Sequence, residues 1–160
     1  MSTEPFLLGE FHRTLDDRYR LNIPGELAEP LLAGGSNFIL AKERPGALSL
    51  WNATIWQEKL DAGVELVKSK IRAGRLEGRV EDVQRLGRML STRHTSVELD
   101  GRARLLVPDG CREFLAVEPG ADVVIVGAAV CVEIWRPAAW IHYLSEQIPE
   151  FRQLFNELAG

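Results

Sequence analysis

At 160 residues and 17.9 kDa the chain has the size of one ordinary domain or two small ones. With 46% hydrophobic and 26% charged residues it is neither wholly disordered nor a low-complexity fibre, and it is long enough to bury a core without disulfide or metal staples. The net charge of −4 argues against a generally basic nucleic-acid binder, yet Lys68–His94 carries eight basic residues against three acidic ones. Local charge, rather than the sum, decides whether an anionic partner is attracted.

In chain order, Met1–Pro5 shows no basic stretch ahead of a hydrophobic segment, and no apolar run reaches transmembrane length, so a soluble cytoplasmic protein is expected. Residues 6–15 alternate as a strand does, and Leu21–Ile23 is a short apolar strand ending at Pro24. Between them Asp16-Asp17-Arg18-Tyr19 reads as a tight bend, because Asp hydrogen-bonds its own following backbone. A helical turn or two follows Pro24, then strands at Phe38–Ala41 and Ala47–Trp51, and a helix starting near Asn52.

Apolar residues then recur at helical spacing twice, through Trp56, Leu60, Val64, Val67 and Ile71, and through Leu76, Val80, Val83, Leu86 and Leu90, with Gly74 and Gly78 marking a break. The strand pattern returns at residues 95–99 and Leu105–Val107, with Pro108 next and Asp109 expected as a helix cap. Strands at Val123–Val126 and Val130–Trp135 follow, then a helix from Pro137 and a last amphipathic helix carrying Phe151, Leu154, Phe155 and Leu158.

The chain repeats itself. A shift of 84 positions lays Leu15-Asp16-x-Arg18-x-Arg20-Leu21 on Leu99-Asp100-x-Arg102-x-Arg104-Leu105, and without a gap it also pairs Pro24 with Pro108, Leu31 with Leu115, Trp51 with Trp135 and Trp56 with Trp140. Eleven of fifty positions between 11–60 and 95–144 are identical, which points to duplication. The expected architecture is ββ-α-ββ-α twice, with an extra helical pair between the copies. The matched tryptophans are read as core, since a tryptophan at a strand end packs more often than it stacks on bases.

The doubled Leu-Asp-x-x-x-Arg-Leu-x-Ile/Val-Pro resembles the MraZ family of bacterial transcriptional regulators, within the AbrB/SpoVT swapped-hairpin superfamily. Asp16 to Arg20 and Asp100 to Arg104 carry the likeness, and Val83-Gln84-Arg85-Leu86-Gly87-Arg88-Met89-Leu90 is similar to the helix before the second motif. The likeness covers roughly residues 6–145. The family has Gly just before the Arg of each motif, where Tyr19 and Ala103 stand here, and neither takes positive φ as cheaply.

The resemblance implies an α+β fold, an internally duplicated double-split, swapped-hairpin β-barrel with flanking helices. Its units are a first repeat at 6–60, a helical connector at 61–93, a second repeat at 94–144 and a C-terminal helix at 145–160. It also implies a nucleoid-associated regulator, usually a repressor of the promoter ahead of the cell-division and cell-wall gene cluster. That regulator would bind direct repeats in double-stranded DNA as a ring of eight or more subunits, without cofactor, metal, membrane or small-molecule substrate.

Arg18, Arg20, Arg102 and Arg104 are the candidate DNA-binding residues, because guanidinium groups suit phosphate and read guanine through a two-pronged hydrogen bond. Residues two apart on a strand share a face, so each pair is expected to project together. One arginine per motif is assigned to DNA, and which one reads bases stays open. The alternative for Arg20 and Arg104 is an ion pair with Asp16 and Asp100, which are read as orienters, since a carboxylate facing phosphate would repel it. Arg85, Arg88 and Arg93 are read as a solvated helix face or as links between protomers, and Phe151, Leu154 and Phe155 as either a subunit interface or a lid on the protomer's own barrel.

A catalytic reading needs Cys111 with His12, His94 or His142 as its base. Cys111 repeats Leu27, which makes it a small buried hydrophobe, and no phosphate-loop, dinucleotide, zinc-protease or nucleophile-elbow motif is present. The chain is therefore expected not to be an enzyme. Two classes compete with a sequence-specific regulator: a non-specific nucleoid-associated protein, and a ring-forming protein-interaction scaffold that no longer binds DNA.

Overall fold

Strand β1 (Leu7–Thr14) leads through a tight turn into β2 (Arg20–Asn22), helix α1 (Gly25–Ala33), the hairpin β3 (Asn37–Arg44) and β4 (Ala47–Asn52), and the long helix α2 (Ala53–Arg72). After α3 (Val80–Thr92) the order recurs as β5 (His94–Glu98), β6 (Arg104–Leu106), α4 (Asp109–Leu115), β7 (Asp122–Ala129), β8 (Val132–Trp135) and α5 (Pro137–Gln147). A 3-10 turn over Ile148–Glu150 leads into α6 (Phe151–Ala159). This computed structural model describes residues 6–160; the segment 1–5, read above for a leader, lies outside the described residues.

The fold is mixed α and β, with antiparallel sheets. One sheet of six strands has the order β1-β7-β8-β4-β3-β5, and a ribbon of two pairs β2 with β6. Among the described residues the strands do not close into a hydrogen-bonded barrel. Most of the pairing runs between the two sequence copies: β1 with β7, β5 with β3, β4 with β8 and β2 with β6.

The registers are symmetric about two points. In the ribbon Leu21 faces Leu105, and in the large sheet Ser49 faces Glu133; each pair is 84 positions apart. The ungapped shift holds at those centres and fails between them. Asn37 opens β3 as Asp122 opens β7, a shift of 85, because the loop after Leu115 is one residue longer than the loop after Leu31. A bulge between Lys42 and Arg44 in β3 absorbs the difference, and the shift is 84 again at Trp51 and Trp135.

The core forms where inward faces of both copies meet: Leu15, Leu21, Leu27, Phe38, Leu40, Leu48 and Leu50 pack with Leu105, Leu115, Val123, Ile125, Val132 and Ile134. At about 25 cal/mol per Å² of apolar surface, this shared burial is the main favourable contribution to folding. The expected helical pair between the copies is one helix, since the residues from Trp56 to Ile71 continue the helix begun at Asn52. Asn52 caps α2 by accepting from the Thr54 and Ile55 amides at 3.0 and 3.3 Å. Asp109 is not a cap. Pro108 takes that position, and the Asp109 carboxylate lies 2.7 Å from Arg112 instead.

Of the four matched tryptophans only Trp135 is core. Trp51 is half-buried beneath Lys59, Trp56 packs on His94, and Trp140 lies against Trp135 and Tyr143 near the surface. Neither α2 nor α3 has a buried residue, and no described helix is long and apolar enough to cross a membrane.

Candidate nucleic-acid interface

The two motif turns are built from the same hydrogen bonds. In the first, Asp16 Oδ1 accepts from the amides of Arg18 and Arg20, both at 2.8 Å, while the Asp16 carbonyl accepts from the Tyr19 amide at 3.1 Å. In the second, Asp100 Oδ1 accepts from the amides of Arg102 and Arg104 at 2.8 and 3.0 Å, and its carbonyl accepts from the Ala103 amide at 2.9 Å. Each aspartate thus satisfies amide donors that a turn this tight leaves without strand partners.

The other carboxylate oxygen takes the guanidinium. Arg20 Nε lies 2.8 Å from Asp16 Oδ2, and Arg104 Nε lies 2.7 Å from Asp100 Oδ2. The amide bond from the residue four on is the strongest influence on each carboxyl. It holds Asp16 and Asp100 below their ordinary value of 3.8, helped by the amide two on and by the arginine. Both aspartates therefore stay ionised near neutral pH, and each neutralises one arginine of its motif.

Arg18 and Arg102 stand apart from these pairs. They lie in the turns rather than on a strand, so the two arginines of a motif do not project as one strand pair, contrary to the alternation argument. Both are exposed, and among the described residues no carboxylate lies within ion-pair distance of either.

Tyr19 and Ala103 adopt the left-handed backbone at φ of 60° and 56°. The glycine-like apex is kept in both turns despite the side chains, at a local cost of about 1–2 kcal/mol each. Its consequence is structural: the Tyr19 carbonyl accepts from the Val107 amide, and the Ala103 carbonyl from the Ile23 amide, both at 2.9 Å. Each apex ties its turn to the strand of the other copy.

Pairing of β2 with β6 brings the motifs together. Register sets Arg20 against Leu106 and Asn22 against Arg104, so these four residues share the outer face of the ribbon while Leu21 and Leu105 are buried on the inner one. The two Asp-bound arginines thus lie diagonally across one face, with a turn at each end of the ribbon carrying an exposed arginine.

The basic helical segment is different in kind. Lys68 and Arg72 reach Glu65, and Arg79 and Arg85 reach Asp82, all on exposed surface. Arg93 donates to the carbonyls of Lys42 and Glu43, so it ties α3 to β3 within the protomer. An open cleft of about 780 Å³ between α2 and strands β3 and β5 is lined by Glu58, Asp61 and Glu98, the wrong sign for a phosphate.

Cys111 is buried, as its leucine twin suggests, and burial pushes its thiol up. Cys131 is pushed up to about 12 by the same cause, whereas a nucleophilic cysteine needs a lowered value. Among the described residues no three or more His, Cys, Asp or Glu side chains group as metal ligands.

Sequence reasoning missed Arg112. It lies over the Tyr19 ring with 3.9 Å from guanidinium carbon to centroid, although the two are 93 positions apart. The departure of Tyr19 from glycine was the available signal, but its partner is visible only in three dimensions.

Residues 90–158, which hold the second motif, match the family model described as "MraZ protein, putative antitoxin-like". Along nearly the whole chain there is similarity to proteins named "Transcriptional regulator MraZ". Those of Moorella thermoacetica and Heliobacterium modesticaldum are each 29% identical over 151 residues, covering 94% of this chain and 95% of theirs. That of Desulforamulus reducens is 28% identical over 151 residues, covering 94% and 96%. The family match thus covers the second motif, and the similarity to these regulators runs along nearly the whole chain.

Proposed function

We propose that the chain is a sequence-specific DNA-binding transcriptional regulator and that Arg18 and Arg102 are its principal DNA contacts. The observation that carries this is the ribbon: two like turns, each with an Asp-neutralised arginine and an exposed one, on one antiparallel pair of strands. A two-stranded ribbon is among the elements a major groove admits, and arginine is its commonest reader of guanine. Arg20 and Arg104, held by Asp16 and Asp100, orient the turns and lend their outer edges to the same surface.

Few arginines per protomer bind weakly, because affinity grows with the phosphates neutralised. The finer reading is therefore a ring of eight or more protomers on direct repeats, each copy raising the effective concentration of the next. It includes repression of the division and cell-wall promoter and residence at the nucleoid. Two swapped-hairpin repeats at 6–60 and 94–144, joined by a connector at 61–93 and closed by a helix at 145–160, would form the protomer. Exposed Phe151, Leu154, Phe155 and Leu158 on α6 support an interface between subunits over a lid on the protomer's own core.

An anisotropy titration against the protein's own upstream promoter fragment, with random duplex as competitor, tests this. Binding should survive competitor. Arg18→Ala/Arg102→Ala should abolish the preference, while Arg20→Ala/Arg104→Ala should weaken binding through loss of turn geometry. No preference over random duplex would sink the specific-regulator reading in favour of the scaffold, and a monomer in solution would sink the ring.

A further inference from the structure

The two motif turns share their backbone hydrogen bonds and differ in what stands beside the apex. The Arg112 guanidinium covers the Tyr19 ring at 3.9 Å, its Nε donates to the Val107 carbonyl at 2.9 Å, and its Nη1 lies 2.7 Å from Asp109 Oδ1. The Val107 amide in turn donates to the Tyr19 carbonyl. Arg112 is thus fixed at its edge by the end of β6 and by α4, and its flat face closes over the first turn. At the same shift of 84 positions, Tyr19 corresponds to Ala103 and Arg112 to Ala28, which is buried. Two methyl groups stand where the first turn has an aromatic ring under a cation.

We propose that Arg112 is a positioning residue of the DNA-binding surface: together with Tyr19 it locks the first motif turn in its binding form, while the second turn is left to adjust on DNA. The proposal rests on the DNA-binding reading above. Its physical basis is that a guanidinium can stack on a ring and use its in-plane donors at the same time, which an ammonium cannot. The Arg112 side chain is only 29% exposed, so the stack is partly shielded from water. A turn ordered beforehand loses less freedom on binding, so the first turn would supply most of the starting affinity and the second most of the tolerance to sequence.

Hydrogen exchange on the intact assembly, read beside DNA titrations at several salt concentrations, tests it. Amides 18–20 should exchange roughly tenfold more slowly than amides 102–104, given the usual strength of a shielded cation–aromatic contact. Arg112→Ala should erase that difference and weaken promoter binding roughly tenfold while leaving the salt slope unchanged. Arg18→Ala, by contrast, removes a DNA-contacting cation from every bound protomer and should lower the slope, by about 0.9 for each phosphate no longer neutralised. Arg112→Lys should recover only part of the loss. Tyr19→Gly, which suits the left-handed apex and so guards against simple misfolding, should reproduce Arg112→Ala, and the double variant should add nothing further.

Equal exchange in the two wild-type turns would overturn the proposal, and so would an Arg112→Ala variant with wild-type exchange and affinity. A slope lowered by Arg112→Ala would make Arg112 a phosphate contact and overturn the positioning role. If the wild type shows no preference for promoter DNA while the exchange difference persists and depends on Arg112, the DNA reading fails and the clamp stands.

Discussion

The two copies of the repeat agree along the strand pair at their centre and differ away from it. Leu21 and Leu105 face one another at the centre of the ribbon, and both Asp-x-Arg-x-Arg turns carry the same bonds. Away from that centre Asn52 caps α2, but its counterpart Arg136 makes no side-chain cap to α5, which relies on Pro137 in its first turn. Tyr19 and Arg112 form a stack where Ala103 and Ala28 form none. A residue on a shared strand pair acts on both copies at once, so its freedom to change is small. A helix cap or an apex side chain lies off that shared pair, so a change there in one copy need not be matched in the other.

The sharpest way to break this comparison is at the shared centre. Leu21→Ala and Leu105→Ala each delete a fully buried side chain from one core and should each cost about 2–5 kcal/mol, near one another in value. Denaturant unfolding measures both. Costs differing by more than about twofold would mean that the ribbon is symmetric in register but not in packing.

Acid is the next probe, and it should act on both turns alike. The Asp16 and Asp100 carboxyls titrate below 3.8 in the folded chain, chiefly because each accepts the amide four residues on. A lowered folded value means that their contribution is present above about pH 4 and is lost as pH falls through the lowered value. Asp16→Asn/Asp100→Asn should therefore be less stable than wild type at pH 7 and should lose less on going from pH 5 to pH 2. A wild-type melting temperature flat over that range would separate the two carboxylates from stability.

The caps should separate the copies. Asn52→Ala removes the acceptor for the Thr54 and Ile55 amides and the donor to the Gly34 carbonyl, at a cost of about 1–2 kcal/mol. Arg136→Ala removes no cap bond and should stay within about 0.5 kcal/mol of wild type. Thermal melts of the two variants decide it, and equal costs would deny that α2 and α5 begin differently.

What the sequence makes legible is local. The bend at Asp16 and Asp100, strands ending at Pro24 and Pro108, and helices opening after Asn52 and at Pro137 depend on neighbours within four residues. Cross-copy strand pairing is not local, and periodicity is silent about which strand lies beside which. The one-residue slip in β3 and β7 is hidden because no identical residue falls inside those strands to expose it. Three of the four tryptophans mislead for a related reason: matched position says nothing of whether a layer lies above the ring, and α2 and α5 cover their own strands only in part. Asp109 misleads because a cap and a first-turn acid occupy adjacent positions, and Arg112 offers the carboxylate an alternative.

The smallest expected effect is the most direct test of how the copies diverged. Ala103 holds φ at 56°, a conformation that glycine takes without penalty and alanine does not. Ala103→Gly relieves that strain but gives the unfolded chain more freedom, so a net gain of about 0.5–1 kcal/mol remains. The same change at Tyr19 relieves equal strain and forfeits the ring's packing against the core and its stack under Arg112, so it should gain nothing or lose stability. Opposite signs at two positions of near-identical backbone would show that the first apex depends on its ring and the second little on its methyl group, although both pack against the core. Equal gains would reduce Tyr19 to a second alanine and remove the difference between the turns.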